Sequence, residues 1–343
     1  MDNFIKQVNI HNFKSIADLK LEDCRRINLF IGYPNVGKSN VLEALSLFSV
    51  PFLEKGDNLN KLARVEHAVE LFLSSSEEYM CAIDTDLQKI KLQLNPPTLQ
   101  IFHNKDREGT SYSFDEKLMM FEKMWYYSGS QEEANFYNTS KIKRYTFSSS
   151  IKWKSDNKYQ LLPPFGNNIT DVLSYNQNMN DIKDFIKKEF EKYGLQLVLN
   201  KKDKSLLVQQ NVSQEIVLLL PYSSIADTLQ RVIFYKTAVA SNKNSVLLFE
   251  EPEAHAFPPY IQIIMNDIID AESNQFFIVT HSPLVVNAFL EYEKTREATS
   301  IYLFDFKDNQ TTAKRLSDEE IELAYEYGDS LFFNLENLLV DEH

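Results

Sequence analysis

The strongest constraint on the fold lies in residues 27–48, where the apolar run Ile27–Ile31 (INLFI) meets GYPNVGKS and then NVLEALSLF. A buried strand, a glycine-bearing loop and an amphipathic helix follow one another, with Val41, Leu42, Leu45 and Phe48 at helical spacing. Gly32–Ser39 fits the spacing G-x-x-x-x-G-K-[ST] of a phosphate loop. Each residue type has a physical reason. Gly32 and Gly37 let the backbone turn so that successive N–H groups face phosphate oxygens, and the helix that starts near Lys38 adds its positive end. Lys38 brings positive charge to the β and γ phosphates, and the Ser39 hydroxyl is a ligand for Mg²⁺. The expected nucleotide-binding set is Gly32, Tyr33, Pro34, Asn35, Val36, Gly37, Lys38, Ser39 and Asn40.

A second stretch, VLLFEEPEAHAFPP at Val246–Pro259, runs an apolar strand into Glu250, Glu251 and Glu253. Taken alone, it reads as a solvated strand end whose acids pair with Lys or Arg. Beside a phosphate loop it reads as metal and water chemistry. Glu250 is placed to hold magnesium and Glu251 to orient or deprotonate an attacking water. Glu253 is expected at a subunit interface or in solvent, and His255 is expected to be structural. A third stretch, FFIVTHSP, puts His281 at the end of another apolar strand. Its readings are a helix-end histidine or a group that senses the γ phosphate.

Phe4–Leu21 alternates apolar and polar residues and predicts two half-buried strands around His11–Lys14. From Pro51 to Leu220 the pattern weakens, with short strands at Val69–Leu73 and Leu99–Phe102. A helix is expected over Asp181–Tyr193, ended by Gly194, and a hairpin of LQLVLN and SLLVQQ flanks Lys201–Lys204. This middle region reads as an inserted α-helical/β lobe, residues 51–220, on a core of residues 1–50 and 221–343. Ser224 with Asp227 suggests a capping box opening a helix to Ala240. Strand, helix and strand follow from Ser245 to Thr280, with Pro258 and Pro259 in a helical first turn. A hairpin at Ser300–Phe306 and Thr312–Leu316 leads to a helix capped by Ser317 and Glu320 and ended by Gly328. Alternating strands and helices predict an α/β fold with a mostly parallel sheet.

The net charge of −13 argues against broad coating of nucleic acid, although a local basic groove is compatible with it. Lys141, Lys143 and Arg144, or Lys201, Lys202 and Lys204, are its candidates, or else solvated turn residues. Two cysteines, Cys24 and Cys81, offer no metal spacing. No segment has signal-peptide or membrane-spanning character, so the chain reads as soluble and cytoplasmic.

NFKSI, GYPNVGKSNVLEAL, FEEPEAH and FFIVTHSP occur in that order, over roughly residues 1–50 and 220–340. Together they resemble the ABC-type ATPases of the SMC/RecF/OLD group, most closely the stand-alone AAA ATPases of bacterial phage-defence and abortive-infection systems. Asn40 and Glu43 are typical of that group. The resemblance implies an ABC-ATPase head, a P-loop NTPase with an antiparallel β subdomain, that binds ATP and Mg²⁺. It also implies head-to-tail homodimers, in which a signature helix of one copy meets the nucleotide of the other. PYSSIADTLQR occupies that place without the family's glycine. The equivalent serine is Ser223 or Ser224, or is replaced at Ala226, with Asp227 and Arg231 nearby. Gln88 is the positional candidate for the Q-loop glutamine, and Lys14 of NFKSI is a candidate nucleotide contact. OLD relatives often carry a Toprim nuclease domain for which no length is left after Leu339. The expected effector, a nuclease or toxin, is therefore a separate protein docking on the lobe or the C-terminal helix. A nucleotide-gated scaffold with little turnover and a RecF-like DNA repair ATPase are the competing readings, and a membrane partner is not expected.

Overall fold

The computed structural model describes residues 4–73, 79–105, 108–117, 119–127, 140–149, 158–200, 202–212 and 216–327, together with Phe332, Leu335 and Leu339. Lys201 and Gly328 lie outside the described residues. The elements in chain order are β1 (Val8–Phe13), β2 (Ile16–Leu21), β3 (Ile27–Gly32), α1 (Lys38–Ser46), β4 (Met80–Thr85), β5 (Lys89–Asn95), β6 (Thr98–Lys105), β7 (Glu108–Asp115), β8 (Phe121–Tyr127) and β9 (Ile142–Tyr145). Then come α2 (Ile169–Tyr175), α3 (Asn180–Glu191), β10 (Leu195–Asn200), β11 (Ser205–Asn211), β12 (Val217–Pro221), α4 (Asp227–Ser241), β13 (Val246–Glu250), α5 (Pro258–Asp270) and β14 (Gln275–Val279). The chain continues with α6 (Pro283–Leu290), α7 (Glu293–Glu297), β15 (Thr299–Lys307), β16 (Gln310–Arg315) and α8 (Asp318–Tyr327).

The chain separates into two compact units. The first is Met1–Arg144, Asn244–Glu251 and Asn274–His343; the second is Tyr145–Lys243 and Pro252–Ser273. In the first unit a sheet of order β16-β15-β3-β14-β13-β9 forms the core. Its β15–β3, β3–β14 and β14–β13 pairs are parallel, and β16 closes an antiparallel edge. Every residue of β3 and β14 is buried, as unbroken apolar runs require when both sheet faces are covered. Phe30 sits at the centre of an edge-to-face cluster with Phe277, Tyr302 and Phe304. This is the expected α/β head with a mostly parallel sheet.

The first unit also holds an antiparallel sheet of order β2-β1-β4-β5-β6-β7-β8. Its β4 pairs with β1, Ile83 opposite Ile10, so strands β4 to β8 extend the sheet that the N-terminal strands begin. The unit boundaries therefore differ from the expected division at Pro51 and Leu220. The physical reason is backbone hydrogen bonding across 70 residues of sequence, which no local pattern announces. Val69–Leu73, expected as a strand, is instead the 3₁₀ turn Ala68–Leu71 and its flank.

The second unit packs α4 with α2, α3 and α5 and carries the sheet β10-β11-β12. The expected helix at 181–193 and the LQLVLN–SLLVQQ hairpin are both present. The Ser224 capping box is not. Residues Tyr222–Ser224 form a 3₁₀ turn, and α4 opens with Ala226 as N-cap and no side-chain cap. Asp227 lies inside the first turn, where its carboxylate meets Arg231 Nε at 2.6 Å, the i,i+4 neighbour. The Ser317 capping box does form. Ser317 N donates to Glu320 Oε2 at 2.7 Å, and Glu320 N donates to Ser317 Oγ at 3.1 Å. No helix among the described residues is long and apolar enough to cross a membrane.

Candidate functional site

β3 ends at Gly32, and the chain turns through exposed Tyr33, Pro34 and Asn35 and buried Val36 into α1. Asn35 and Gly37 take left-handed backbone angles, φ 64° and 96°, so the loop wraps and the helix begins at once. Gly37 is dictated by crowding as well as by its angle. A Cβ there would stand 1.9 Å from Thr311 Oγ1 on β16. That threonine is in turn tied to the β1–β2 turn: Thr311 N donates to Ser15 O at 2.8 Å, and the two hydroxyls meet at 2.6 Å. Asn40 Nδ2 also donates to Ser15 Oγ, at 2.7 Å. Loop, turn and hairpin thus brace one another.

Lys38 is buried, and its Nζ donates to Gly32 O at 2.9 Å and Tyr33 O at 2.6 Å across the loop. Burial lowers its ammonium to about 8, with the Glu251 charge opposing the drop. Glu251 follows β13 directly and adopts φ 44°, a left-handed angle unusual for glutamate. Its N–H donates to Val279 O at 2.9 Å. Its Oε1 lies 3.6 Å from His281 Nε2, just beyond β14, and both side chains are part-exposed. Burial lowers the His281 pKa and the Lys38 charge adds to this, while Glu251 pulls the other way. Lys38, Glu251 and His281 therefore gather beyond the carboxyl ends of β3, β13 and β14, where open parallel sheets bind ligands. Backbone strain and perturbed titration at one place mark functional sites.

Glu250, the last residue of β13, is balanced by two arginines. Arg64 Nη2 donates to its Oε1 at 2.9 Å and Arg144 Nη2 to its Oε2 at 2.7 Å. Arg144 Nη1 also donates to Leu62 O. The same Arg64 gives its Nε to Glu43 Oε1 at 2.6 Å, and Lys14 Nζ meets Glu43 Oε2 at 2.5 Å and Arg64 O at 2.9 Å. Burial pushes the Glu43 carboxyl up. The Lys14 charge, the hydrogen bonds from Lys14 and Arg64 and the Arg144 charge outweigh it, leaving the carboxyl below its ordinary value.

Several expectations change here. Lys14 is turned onto Glu43. Lys143 and Arg144 are neither solvated nor part of a groove, because β9 is buried at the edge of the core sheet. Burial brings the Lys143 ammonium to about 7, and Ser245 Oγ is 3.3 Å away. Gln88 lies at the far end of β1, since Val8 pairs with Thr85, and its amide oxygen meets His103 Nε2 at 3.3 Å. Six residues of strand, about 20 Å, separate that end from the Lys14 turn. Ser223, Ser224, Asp227 and Arg231 belong to the second unit. His255 is exposed, and its backbone carbonyl accepts from Thr228 Oγ1 at 2.9 Å. Arg64, Ser15 and Thr311 were not singled out by sequence reasoning. The one available signal was Glu43, a carboxylate between Leu42 and Ala44 on an otherwise apolar helix face, which demands a cation.

The donor set fits magnesium chemistry: a serine hydroxyl at Ser39 and a carboxylate at Glu250 are hard oxygen ligands that complete a shell with phosphates and water. Among the described residues no group of three or more His, Cys, Asp or Glu side chains could hold a metal ion by itself.

Fold and site together define an ABC-type ATPase of the SMC/RecF group. Residues 27–287, more than half of the chain, match the family described as "AAA domain, putative AbiEii toxin, Type IV TA system", and the chain belongs to that family. A Helicobacter pylori protein named ATP/GTP phosphatase is 20% identical over 373 residues, covering 96% of this chain and 100% of its own length. A "DNA replication and repair protein RecF" from Caldanaerobacter subterraneus subsp. tengcongensis is 33% identical over 63 residues, 18% of this chain. The match spans only 17% of that relative. An SMC head bound to the C-winged helix domain of ScpA shares the fold with a TM-score of 0.52 at 14% identity, covering 93% of this chain and 99% of that one. An SMC head with an extended coiled coil, bound to a ScpA domain from Pyrococcus furiosus, gives 0.52 at 12% identity, covering 94% and 99%.

Proposed function

We propose that the chain binds Mg²⁺-ATP at Gly32–Ser39 and hydrolyses it. The observation that carries this reading is the meeting of Lys38, Glu251 and His281 beyond three adjacent parallel strands. Lys38, now folded onto the carbonyls of Gly32 and Tyr33, exchanges them for the β and γ phosphate oxygens. Loop N–H groups and Asn40 line the phosphates. Ser39 and Glu250 would hold the metal, which would supply charge to offset that developing on the phosphates. Glu251 orients the attacking water and accepts its proton, and His281 contacts the γ phosphate. Steady-state ATP hydrolysis tests the assignment. Glu251→Gln is expected to lower turnover about 100-fold or more, and an unchanged rate removes Glu251 from the chemistry.

In this reading two copies assemble head to tail around two nucleotides, with Ser223, Ser224, Asp227 and Arg231 of each facing the other's phosphates. The cycle then controls a separately encoded nuclease or toxin in an OLD-like antiviral defence system. The family description, which speaks of a toxin system, supports this. One observation favours the second reading, a nucleotide-gated scaffold with slow turnover. The first turn of α4 has no side-chain cap and carries the Asp227 carboxylate, a charge that disfavours a phosphate at this helix end. Nucleotide-driven dimers without turnover would decide for it. The burial of Lys143 and Arg144 removes one candidate DNA groove and weighs against the RecF-like repair reading.

A further inference from the structure

The Glu250 carboxylate has two guanidinium partners of opposite character. Arg144 reaches Oε2 from β9 with 6% of its side chain exposed, and its other nitrogen is fixed by Leu62 O. Arg64 reaches Oε1 with 62% of its side chain exposed, and it keeps a second anchor on Glu43. One oxygen is thus held by a residue that cannot leave, and the other by a residue already open to water. We propose that Arg144 is a positioning residue for Glu250, and that Arg64 is an exchangeable counter-ion which an arriving divalent cation displaces from Oε1. This rests on the reading of Gly32–Ser39 as a Mg²⁺-nucleotide site.

The charge argument is direct. Arg64, Arg144 and Lys14 face only two carboxylates, Glu250 and Glu43, so the cluster carries one positive charge in excess. A dication brought to the Glu250 side replaces the Arg64 charge and repels it, while Arg144 stays because its exit would strand a guanidinium inside the sheet. Arg64 does not fly free on release. Its Nε remains on Glu43, and its own carbonyl remains on Lys14 Nζ, so it can return when the metal departs. The segment that carries Arg64 is thereby coupled to metal occupancy, through Glu250 on one side and Lys14 on the other.

The test is Mn²⁺ binding to the full chain loaded with AMP-PNP, read as free Mn²⁺ by electron paramagnetic resonance, with AMP-PNP affinity measured separately in EDTA. Arg64→Gln removes the competitor and should tighten Mn²⁺ about tenfold, leaving metal-free AMP-PNP affinity within about twofold of wild type. Arg144→Gln should weaken Mn²⁺ by 10–100-fold, the range typical of residues that orient a metal ligand. Arg144→Lys, which keeps the charge and the fold but not the paired nitrogens, should fall between. The proposal is overturned by Mn²⁺ affinity that is unchanged or weaker in Arg64→Gln, or unchanged in both Arg144 variants. A loss of metal-free AMP-PNP affinity in Arg64→Gln also overturns it, because Arg64 would then contact the nucleotide. Wild-type protein that binds no AMP-PNP sinks the underlying site reading instead, so the two failures are distinguishable.

Discussion

Glu43 ties α1 to the Lys14 turn and to the segment that carries Arg64, and Glu43→Gln measures what that tie contributes. The side chain is 1% exposed on α1 and accepts from Lys14 at 2.5 Å and Arg64 at 2.6 Å. The substitution keeps shape and one acceptor but removes the charge that balances both cations. Lys14, 13% exposed, is left with the Arg64 carbonyl, while Arg64 retains Glu250. Removing one partner of a fully buried ion pair costs about 3–5 kcal/mol. Because Arg64 is 62% exposed and keeps a second partner, the lower end, about 3 kcal/mol, applies. At roughly 2 °C per kcal/mol for a chain of this size, the melting temperature should fall by about 6 °C. The pH dependence has a definite sign. A carboxyl held below its ordinary value of 4.5 stabilises the fold above that pH, and the contribution is lost as pH falls further. The gap between wild type and variant, read by circular dichroism melts, should therefore be widest at pH 7 and narrow below pH 4.5. A variant that melts within about 1 °C of wild type at pH 7 would refute the claim that this cluster is held by charge.

Three further outcomes follow from particular contacts. Lys38 sits at about 8 in the free protein, and anion binding needs its charged form, so ATP affinity should be flat below pH 8 and drop about tenfold per unit above it. Titration of a fluorescent ATP analogue from about pH 6.5 to about 9.5 reads this, and Lys38→Arg should abolish the break. Gly37→Ala puts a Cβ 1.9 Å from Thr311 Oγ1 at φ 96°, which adds about 1–2 kcal/mol of backbone strain to the clash. It should abolish ATP binding and lower the melting temperature by at least about 2 °C. Ser317→Ala removes one half of the α8 cap and should cost about 1 kcal/mol in thermal melts without changing ATP affinity.

The phosphate loop, its strand and its helix were legible because their signals are local: apolar runs, glycine spacing and 3.6-residue periodicity over about twenty residues. The same holds for Glu250, Glu251 and His281, which sit at or within two residues of the end of a buried strand. The braces of the site were not legible. Arg64 and Arg144 join Glu250 across 186 and 106 positions, and Thr311 reaches Ser15 across 296. Such pairs form between segments far apart in the chain, which no local pattern announces. The Ser224 cap failed for a local reason, because Asp227 finds Arg231 one turn later, whereas Ser317 and Glu320 satisfy each other reciprocally. Lys143 and Arg144 misled because basic residues on a buried strand have the same composition as ones on a turn.

The central claim is that Glu251 acts on water while Lys38 and its loop hold the nucleotide. A single-turnover experiment tests it most directly: labelled ATP and Mg²⁺ are bound to wild type and to Glu251→Gln, and the bound nucleotide is analysed over time. The account predicts equal binding, conversion to ADP on the wild type, and intact ATP retained on the variant. ADP forming at the same rate on both proteins would contradict it.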